Sequence, residues 1–185
     1  MPSSDDDESL AKLYTADGNA RALEILFRRH SDSTYGFAAR FLNCREDVEE
    51  ATSESWMRVF KKLRADEFAG QSLFRTWLFG IVRHVCLERL RQPRLPTLSL
   101  SLFDDGAHAD HVLFAPETEP ASDLDTAFAK IGEDHQLILN LCDLQGFTVL
   151  EASEIFGRSP SATKSLHARA RRALRDVMIA QRTQE

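Results

Sequence analysis

The residues best suited to a chemical task lie near the end of the chain, in the stretch GRSPSATKSLHARARRALRD from Gly157 to Asp176. This stretch carries six arginines and lysines before its only acid, although the whole chain has a net charge of -6. Guanidinium and ammonium groups bind phosphates and release counterions, and polar side chains beside them can read base edges. The stretch therefore predicts a nucleic-acid surface.

A helical wheel separates this stretch into an apolar face around Leu166 and Ala170 and a cationic face opposite it. Gly157 is expected to open a tight turn after a preceding helix, and Ser159 with Pro160 to begin the next one. Such an arrangement is typical of a DNA-binding helix-turn-helix, although a basic helix that only aids solubility is the alternative. The residues predicted to contact duplex DNA are Ser161, Thr163, Lys164, Ser165, His167, Arg171, Arg172 and Arg175.

A second group of bases follows a predicted helix that begins near Ser72 and stops at Pro93. Aromatic side chains lie among them, and aromatic rings with arginines suit unstacked single strands. Phe74 and Trp77, however, fall on the apolar stripe and are better explained as core. The polar residues predicted to contact a single strand are Arg75, Thr76, Arg83 and His84, and Arg89 and Arg91 lie on the same face of the helix.

The segment REDVEEATSESWMRVFKKL has the clearest helical pattern in the chain. Val48, Ala51, Trp56 and Val59 follow i, i+3, i+4 spacing and predict one buried stripe. Acids crowd the first half and bases the end, an order that complements the helix dipole. The acidic face is explained either by solvation or by a partner.

The remaining composition is that of a folded protein with reduced thiols. Hydrophobic residues make up 43% and charged residues 28% of the 185 positions, values typical of globular chains. Charges interrupt the longest apolar run and the acidic N-terminal tail has no signal-peptide pattern, so membrane insertion and export are not expected. Three widely spaced cysteines indicate a cytoplasmic protein.

No catalytic residue, cofactor or metal is predicted. The sequence contains no Walker loop, G-x-S-x-G or H-E-x-x-H motif. His108 and His111 have H-x-x-H spacing near two aspartates, but a zinc site needs a fourth ligand in a fixed position. A metal-dependent hydrolase is therefore the weakest hypothesis, and no small-molecule substrate is expected.

The pattern predicts an all-α protein with two small domains. Residues 93–122 contain four prolines and an excess of acids, which predicts a Pro-rich acidic linker. The block at 9–92 is expected to form a helical bundle, with Asp17 or Asn19 as a helix cap. The block at 123–181 is expected to hold the helix-turn-helix. Its shorter helices are predicted near 123–131, 133–144 and 148–156.

Three motifs in this order resemble the bacterial RNA polymerase sigma factors of the extracytoplasmic-function (ECF) class, in the sigma-70 family. REDVEEATSESWMRVFKKL is similar to the family's D-A-E-D-x-x-Q-E-x-F helix. FRTWLFGIVRHVCLERLRQ is similar to its F-R-T-W-L-x-x-I-A-R-N-x-x-x-D-x-L-R-R segment. FTVLEASEIFGRSPSATKSLHARARRAL resembles its final helix-turn-helix, and the likeness covers residues 20–92 and 124–176.

The resemblance implies a promoter-specificity subunit of core RNA polymerase. Asp47, Glu50 and Glu54 would face polymerase. The first domain would read the melted minus-ten element through a set of polar residues on one helix: Arg75, Thr76, Arg83, His84, Arg89 and Arg91. The last domain would read the minus-thirty-five element as duplex promoter DNA. The resemblance also implies an anti-sigma factor as a further partner.

The departures from the family pattern leave the promoter sequence open. Ser53 stands where glutamine is usual, Gly80 where a base is common and His84 where asparagine is typical. The alternative function is a helix-turn-helix regulator that binds an operator without core polymerase, with the first block as a ligand-sensing or dimerising bundle. Only a sigma factor would confer initiation on core polymerase.

Overall fold

The computed structural model describes residues 6–42, 44–91 and 123–182, and every regular element in these ranges is a helix, as predicted. The predicted linker and the H-x-x-H pair lie outside the described residues. The described ranges contain eight α-helices: α1 (Asp7–Asp17), α2 (Ala20–Ala38), α3 (Arg45–Arg64), α4 (Phe74–Arg91), α5 (Asp123–Ala129), α6 (Glu133–Leu139), α7 (Val149–Phe156) and α8 (Pro160–Arg182). A π-helical turn (Asn140–Leu144) continues α6.

Helices α1 to α4 pack around an apolar core. The stripe predicted for α3 is buried, with Val48, Ala51 and Val59 completely enclosed. Trp56 is also buried, and its indole N–H donates to Thr34 Oγ1 at 3.2 Å. The hydrogen bond allows a large ring to be buried with its polar atom satisfied.

Side chains cap the first turns of α2 and α3. The Asn19 side chain accepts from the backbone N–H groups of Arg21 and Ala22 at 3.1 and 3.2 Å, which confirms one of the two predicted caps. Cys44 Sγ accepts from the backbone N–H of Asp47 at 3.4 Å. These contacts satisfy N–H groups that have no partner within the helix.

The acidic N-terminal segment is part of the bundle from Asp6 onward. Asp6 caps α1 by accepting from the Ser9 N–H at 2.6 Å, and Leu10 is buried in the core. The Glu8 carboxylate accepts from the backbone N–H of Phe74 at 2.7 Å and so caps α4. An acid of α1 therefore fixes the start of the helix that carries the predicted single-strand contacts.

Helices α5 to α8 form the helix-turn-helix unit. Thr148 and Glu151 make a capping box at α7, with backbone to side-chain distances of 3.2 and 2.7 Å. Gly157 ends α7 at φ 64°, a left-handed conformation that costs glycine little. Ser159 Oγ then accepts from the Ala162 N–H at 3.3 Å and begins α8. The predicted turn is confirmed.

The two helical units pack together through α4 and α7, and their apolar cores are continuous. The rings of Phe79 and Phe147 meet edge to face with their centroids 4.9 Å apart. Phe79 is completely buried, so it belongs to the core. Leu73, just before α4, and Leu90, in its last turn, are 54% and 39% exposed, so the apolar contacts of this helix end before its two termini.

Candidate nucleic-acid interface

The predicted duplex-reading surface lies on the outward side of α8. Leu166 and Ala170 hold the opposite side of the helix against α6 and α7, and both are buried. The outward side is open to solvent over its first four turns. The predicted contact residues that are exposed are Ser161, Lys164, Ser165, Arg171, Arg172 and Arg175.

Thr163 is not on this surface. Its side chain is completely buried, and its Oγ1 has no hydrogen-bond partner within the described residues. The position lies one helical turn before Leu166, on the core face. Thr163 is therefore separated from the predicted contact residues that are exposed.

His167 and Arg171 turn toward their own domain and bind one carboxylate. His167 Nε2 lies 3.0 Å from Asp143 Oδ2, and Arg171 donates to both oxygens of Asp143, through Nε at 3.2 Å. Burial acts to raise the pKa of Asp143, but the bonds from Arg171 and His167 outweigh burial and hold it below the ordinary value. Asp143 thus anchors the middle of α8 to the π-helical turn.

Arg171 and Arg175 also border an apolar groove beside α8. The groove has a volume of about 460 Å³ and runs between α5, α6 and α8. Leu124, Leu144 and Ile179 line it and are exposed by 45%, 51% and 57%. Arg175 therefore belongs to two surfaces, whereas Arg172 belongs to the outward face alone.

Arg169 is an exposed base on α8 that the predicted set left out. Its Nε donates to the Ser165 carbonyl at 3.4 Å. Arg169 lies about 60° from Arg172 on a helical wheel, because three residues advance about 300°. The wheel could have placed it at the edge of the cationic face.

The predicted single-strand contacts on α4 are divided among different surroundings. Arg75 and Arg83 lie against the second domain. The Arg75 guanidinium donates to the Gln145 carbonyl and stands 3.8 Å from the centroid of the Phe147 ring. The Arg83 guanidinium lies 5.3 Å from the centroid of the Phe156 ring.

The other predicted contacts on α4 are only partly available to a ligand. Thr76 is 3% exposed, and its Oγ1 has no hydrogen-bond partner among the described residues. The side chain of His84 is 66% exposed and lies 3.1 Å from a carboxylate oxygen of Glu88. Arg91 is exposed at the end of the helix. Within the predicted set on α4, His84 and Arg91 are exposed, the other three bases are half-buried and Thr76 is buried.

Arg89 joins α4 to the acidic helix α3. Its guanidinium donates to Glu50 at 2.7 Å and to Glu54 at 3.4 Å, and the side chain is 20% exposed. Arg58 binds Glu54 and Glu88, each at 2.6 Å, and the bond from Arg58 holds the pKa of Glu88 below its ordinary value. The two arginines thereby fix carboxylates that would otherwise move freely.

The acidic face of α3 forms a shallow cleft with these residues. Glu50 has a side-chain exposure of 66% and Glu54 of 34%, whereas Asp47 lies at the edge of the helix and is half-buried. Met57 is 52% exposed between these acids and Lys61. An apolar side chain within an acidic surface is typical of a protein interface. Met57 lies outside the buried stripe of α3, so the helical periodicity did not identify it as a functional residue.

The cysteines have the surroundings of structural residues. Burial raises the pKa of Cys86 to about 12 and that of Cys142 to about 11. Both thiols are therefore protonated near neutral pH, which makes them poor nucleophiles. The described residues contain no cluster of three or more histidine, cysteine or acidic side chains that could hold a metal ion.

Family models match both halves of the chain in order. Sigma-70 region 2 matches residues 26–94, and Sigma-70 region 4 matches residues 122–174. Among curated relatives, the ECF RNA polymerase sigma factor SigC of Mycobacterium tuberculosis is 29% identical over 175 residues, with 91% of each chain covered. The ECF RNA polymerase sigma factor SigM of the H37Rv strain of the same organism is 27% identical and covers 91% of this chain and 82% of its own.

Solved structures share the fold. CnrH, in complex with the cytosolic domain of CnrY, superposes with a TM-score of 0.69 and 24% identity over 94% of this chain and 97% of its own. The sigma factor RpoE of Bartonella quintana, in complex with the anti-sigma factor NepR, has a TM-score of 0.61 at 18% identity, over 82% of this chain and 93% of its own.

These matches, with the two helical domains and the helix-turn-helix, place the chain in the sigma-70 family, as an alternative sigma factor of the ECF class that directs transcription initiation with core RNA polymerase. A regulator acting without polymerase would not need region 2, so the alternative function is set aside. Among the described helices, none combines the length and apolar character needed to cross a bilayer.

Proposed function

We propose that this sigma factor reads promoter DNA with two separate surfaces. The outward side of α8, with Lys164, Arg172 and Arg175, would contact the minus-thirty-five duplex. The side of α4 that carries Arg75, Arg83, His84 and Arg91 would capture the melted strand of the minus-ten element. The observation that carries this proposal is the cationic outward side of α8. The opposite side of the helix, with Leu166 and Ala170, is buried in the core of the helix-turn-helix, so the cationic side is left for a ligand.

The α8 surface suits duplex DNA for a physical reason. A helix fits the major groove, where its first turns approach the base edges. Ser161 and Ser165 offer hydroxyls there, and Lys164 offers an ammonium group. Arg172 and Arg175 lie about two to three turns further along, where they would reach phosphates. Thr163, His167 and Arg171 are left out of the proposed contacts because of their burial or their bonds to Asp143.

The α4 surface suits an unstacked strand. Extruding a base costs a few kcal/mol, and contacts to the displaced nucleotide and its phosphates must offset that cost. Arg75 and Arg83 supply charge, and Trp77, which is only partly buried, offers an aromatic ring beside them. Thr76 is left out of this surface because it is buried.

Core polymerase would bind the acidic face of α3. Glu50 and Glu54 would provide the charges and Met57 an apolar contact, with Asp47 at the edge. We assign Arg89 to this surface as a positioning residue, since it binds both carboxylates and most of its side chain is covered. A fixed carboxylate loses less conformational entropy on binding than a free one.

We further propose a cytoplasmic location, an anti-sigma factor as regulatory partner, and no catalytic site in the chain itself. The first two rest on the family, and two relatives were solved in complexes, one of them with an anti-sigma factor. The third rests on the described side chains, which show no metal cluster and no activated thiol.

Run-off transcription with core polymerase and a promoter library tests the proposal. The chain should select a subset of promoters, and variants of Glu50 with Glu54 should abolish transcripts at low protein concentration. Arg28→Ala is a matched control, because Arg28 is exposed and its ion pair is with Glu24 of the same helix. A chain that binds selected duplexes by itself but yields no transcript with core polymerase would contradict the proposal.

A further inference from the structure

The groove that runs beside α8, between α5 and α6, has an apolar lining and the volume of a small-molecule site. Its buried part includes Phe128 and Leu139, which are 4% and 3% exposed. Leu124, Leu144 and Ile179 also line it, and all three are exposed. The volume of about 460 Å³ lies within the usual range for ligand sites, about 300–1,000 Å³. A ligand that covered these apolar side chains would therefore gain binding free energy.

The charged residues around this groove are mostly cationic. They are four arginines and two aspartates: Arg40, Arg171, Arg175, Arg182, Asp125 and Asp143. Asp143 is already bound by Arg171, so this acid does not neutralise the other arginines. Arg175 and Arg182 are exposed, and neither forms an ion pair with the described residues. The edge of the groove on α8 therefore has two cations that an anion can bind.

The combination of apolar lining and cationic edge selects the chemistry of the ligand. An inorganic anion would leave the apolar side chains exposed, whereas an uncharged hydrocarbon would leave the arginines without a partner. A molecule with one hydrocarbon chain and an anionic head satisfies both. Each methylene group that the groove buries raises affinity by about fourfold. A carboxylate head can accept two parallel hydrogen bonds from one guanidinium group.

We propose that the groove between α5, α6 and α8 binds a single-chain anionic amphiphile of the fatty-acid class. Its carboxylate would lie between Arg175 and Arg182, which are seven residues apart and so lie on the same side of α8. Its chain would contact Leu124, Leu144 and Ile179. Such a ligand is a regulator, because a carboxylate bound to Arg175 keeps that side chain from a DNA phosphate. The effect on DNA rests on the proposed function, whereas binding in the groove does not.

Displacement of a dansyl-labelled undecanoate from the full chain tests the chemistry of the ligand. Dodecanoate, kept below its micelle concentration, should displace the probe. Dodecyltrimethylammonium has a chain of the same length and the opposite charge, and it should be at least about tenfold less effective, because hydrogen bonds to charged groups are lost. Equal displacement by the two compounds would overturn the proposal. So would binding of an acidic amphipathic peptide at the groove without any binding of dodecanoate.

Ile179→Gln and its control Leu150→Gln test the location of the site. The two side chains are exposed by 57% and 60%, so both variants should fold, but Leu150 lies on α7 and does not line the groove. Ile179→Gln should lower dodecanoate affinity by about tenfold, because it removes apolar contact with the chain. Leu150→Gln should bind dodecanoate as the unmodified chain does. Equal affinities in the two variants would place the ligand elsewhere and overturn the proposal.

Arg182→Gln tests the cationic edge separately from the apolar lining. It should weaken dodecanoate binding several-fold and should not weaken binding of dodecyltrimethylammonium, because the lost interaction is with the anionic head. Equal losses for both compounds would show that Arg182 contributes only packing, which contradicts the proposed recognition of an anion.

Duplex binding measures the regulatory effect. At a saturating concentration below that of micelles, dodecanoate should weaken binding of a selected promoter duplex several-fold in the unmodified chain, and much less in Ile179→Gln at the same concentration. Dodecanoate that binds the groove without any change in duplex affinity would overturn the regulatory role of Arg175. Failure of the proposed function has another signature: Arg172→Ala with Arg175→Ala would leave duplex affinity unchanged when no amphiphile is present.

Discussion

Helices α4 and α8 carry four and five arginines, yet these side chains occupy opposite situations. On α8, one arginine within the described residues forms an ion pair, and its neighbours face solvent. On α4, two arginines lie under aromatic rings of the other domain and a third binds two carboxylates. The contrast teaches that the number of bases on a helix indicates a ligand class, whereas their neighbours decide when the ligand can bind.

The largest effect is expected on the exposed helix. Arg172→Ala with Arg175→Ala should weaken binding of a selected promoter duplex by about 30-fold or more, because removing an arginine that binds DNA costs about 1–3 kcal/mol. The salt dependence should also become shallower by about one unit for each phosphate that the variant no longer neutralises. Fluorescence anisotropy across a salt series measures both quantities.

Arg171→Ala is the matched comparison for that double variant. Its guanidinium binds Asp143, and exposed ion pairs contribute about 0–1 kcal/mol. The variant should therefore lose much less duplex affinity than either Arg172→Ala or Arg175→Ala. An equal loss would mean that Arg171 leaves Asp143 to bind DNA.

A smaller effect is expected from Arg89→Ala, and it should appear in polymerase binding. Loss of the bonds to Glu50 and Glu54 frees both carboxylates, at a cost on the order of 1 kcal/mol or several-fold in affinity. Arg91→Ala is the control on the same helix and should leave polymerase affinity unchanged. Competition with an unmodified sigma factor for core polymerase measures the difference. The assignment of Arg89 is wrong if the two variants compete equally well.

Thr76→Val and Thr163→Val should affect stability and not DNA binding. Each removes a buried hydroxyl that has no hydrogen-bond partner within the described residues. Removal should leave stability unchanged or raise it by up to about 1 kcal/mol. Chemical denaturation gives the free energy of unfolding, and anisotropy gives the DNA affinity. A loss of promoter affinity in either variant would return that threonine to the interface.

The smallest effects concern acid sensitivity of the two domains. A hydrogen bond with His30 holds the pKa of Asp7 below its ordinary value, and Asp143 is shifted in the same direction by its bonds despite burial. A lowered folded-state pKa adds stability above the unfolded value near 3.9, and that stability is lost as pH falls through the folded value.

Asp7→Asn and Asp143→Asn should therefore flatten the fall in unfolding free energy between about pH 5 and pH 2. Asp7 is the less exposed carboxylate, at 20% against 28%, so its variant should show the larger change. Urea denaturation at several pH values measures the slope. Slopes identical to that of the unmodified chain would show that neither carboxylate is responsible for acid sensitivity.

Local features of the sequence predicted the helix-turn-helix well. Gly157, Ser159 and the Leu166 stripe each act through neighbours within one or two helical turns, so periodicity and capping rules were sufficient. The same rules identified Asn19 and the buried stripe of α3. The Pro-rich stretch remains a prediction.

Interactions between distant segments could not be predicted in this way. Glu8 caps α4 from 66 positions away, and Arg75 meets a carbonyl 70 positions away. A wheel places Arg75, Arg83 and Arg89 on polar faces but cannot say which acquires an aromatic ring and which a carboxylate. Those partners depend on how whole helices pack, and this packing decides which arginines are available.

Permanganate footprinting with core polymerase on a selected promoter tests most directly whether α4 captures the melted strand and α8 reads the duplex. The pair Arg75→Gln, Arg83→Gln should still bind the promoter but lose reactive thymines at the minus-ten element. The pair Arg172→Ala, Arg175→Ala should lose binding to the duplex promoter and regain open complexes on a template with a pre-melted minus-ten bubble. The account is contradicted if both variant pairs fail at the same step of open-complex formation. It is also contradicted if the pre-melted bubble restores open complexes for both pairs or for neither pair.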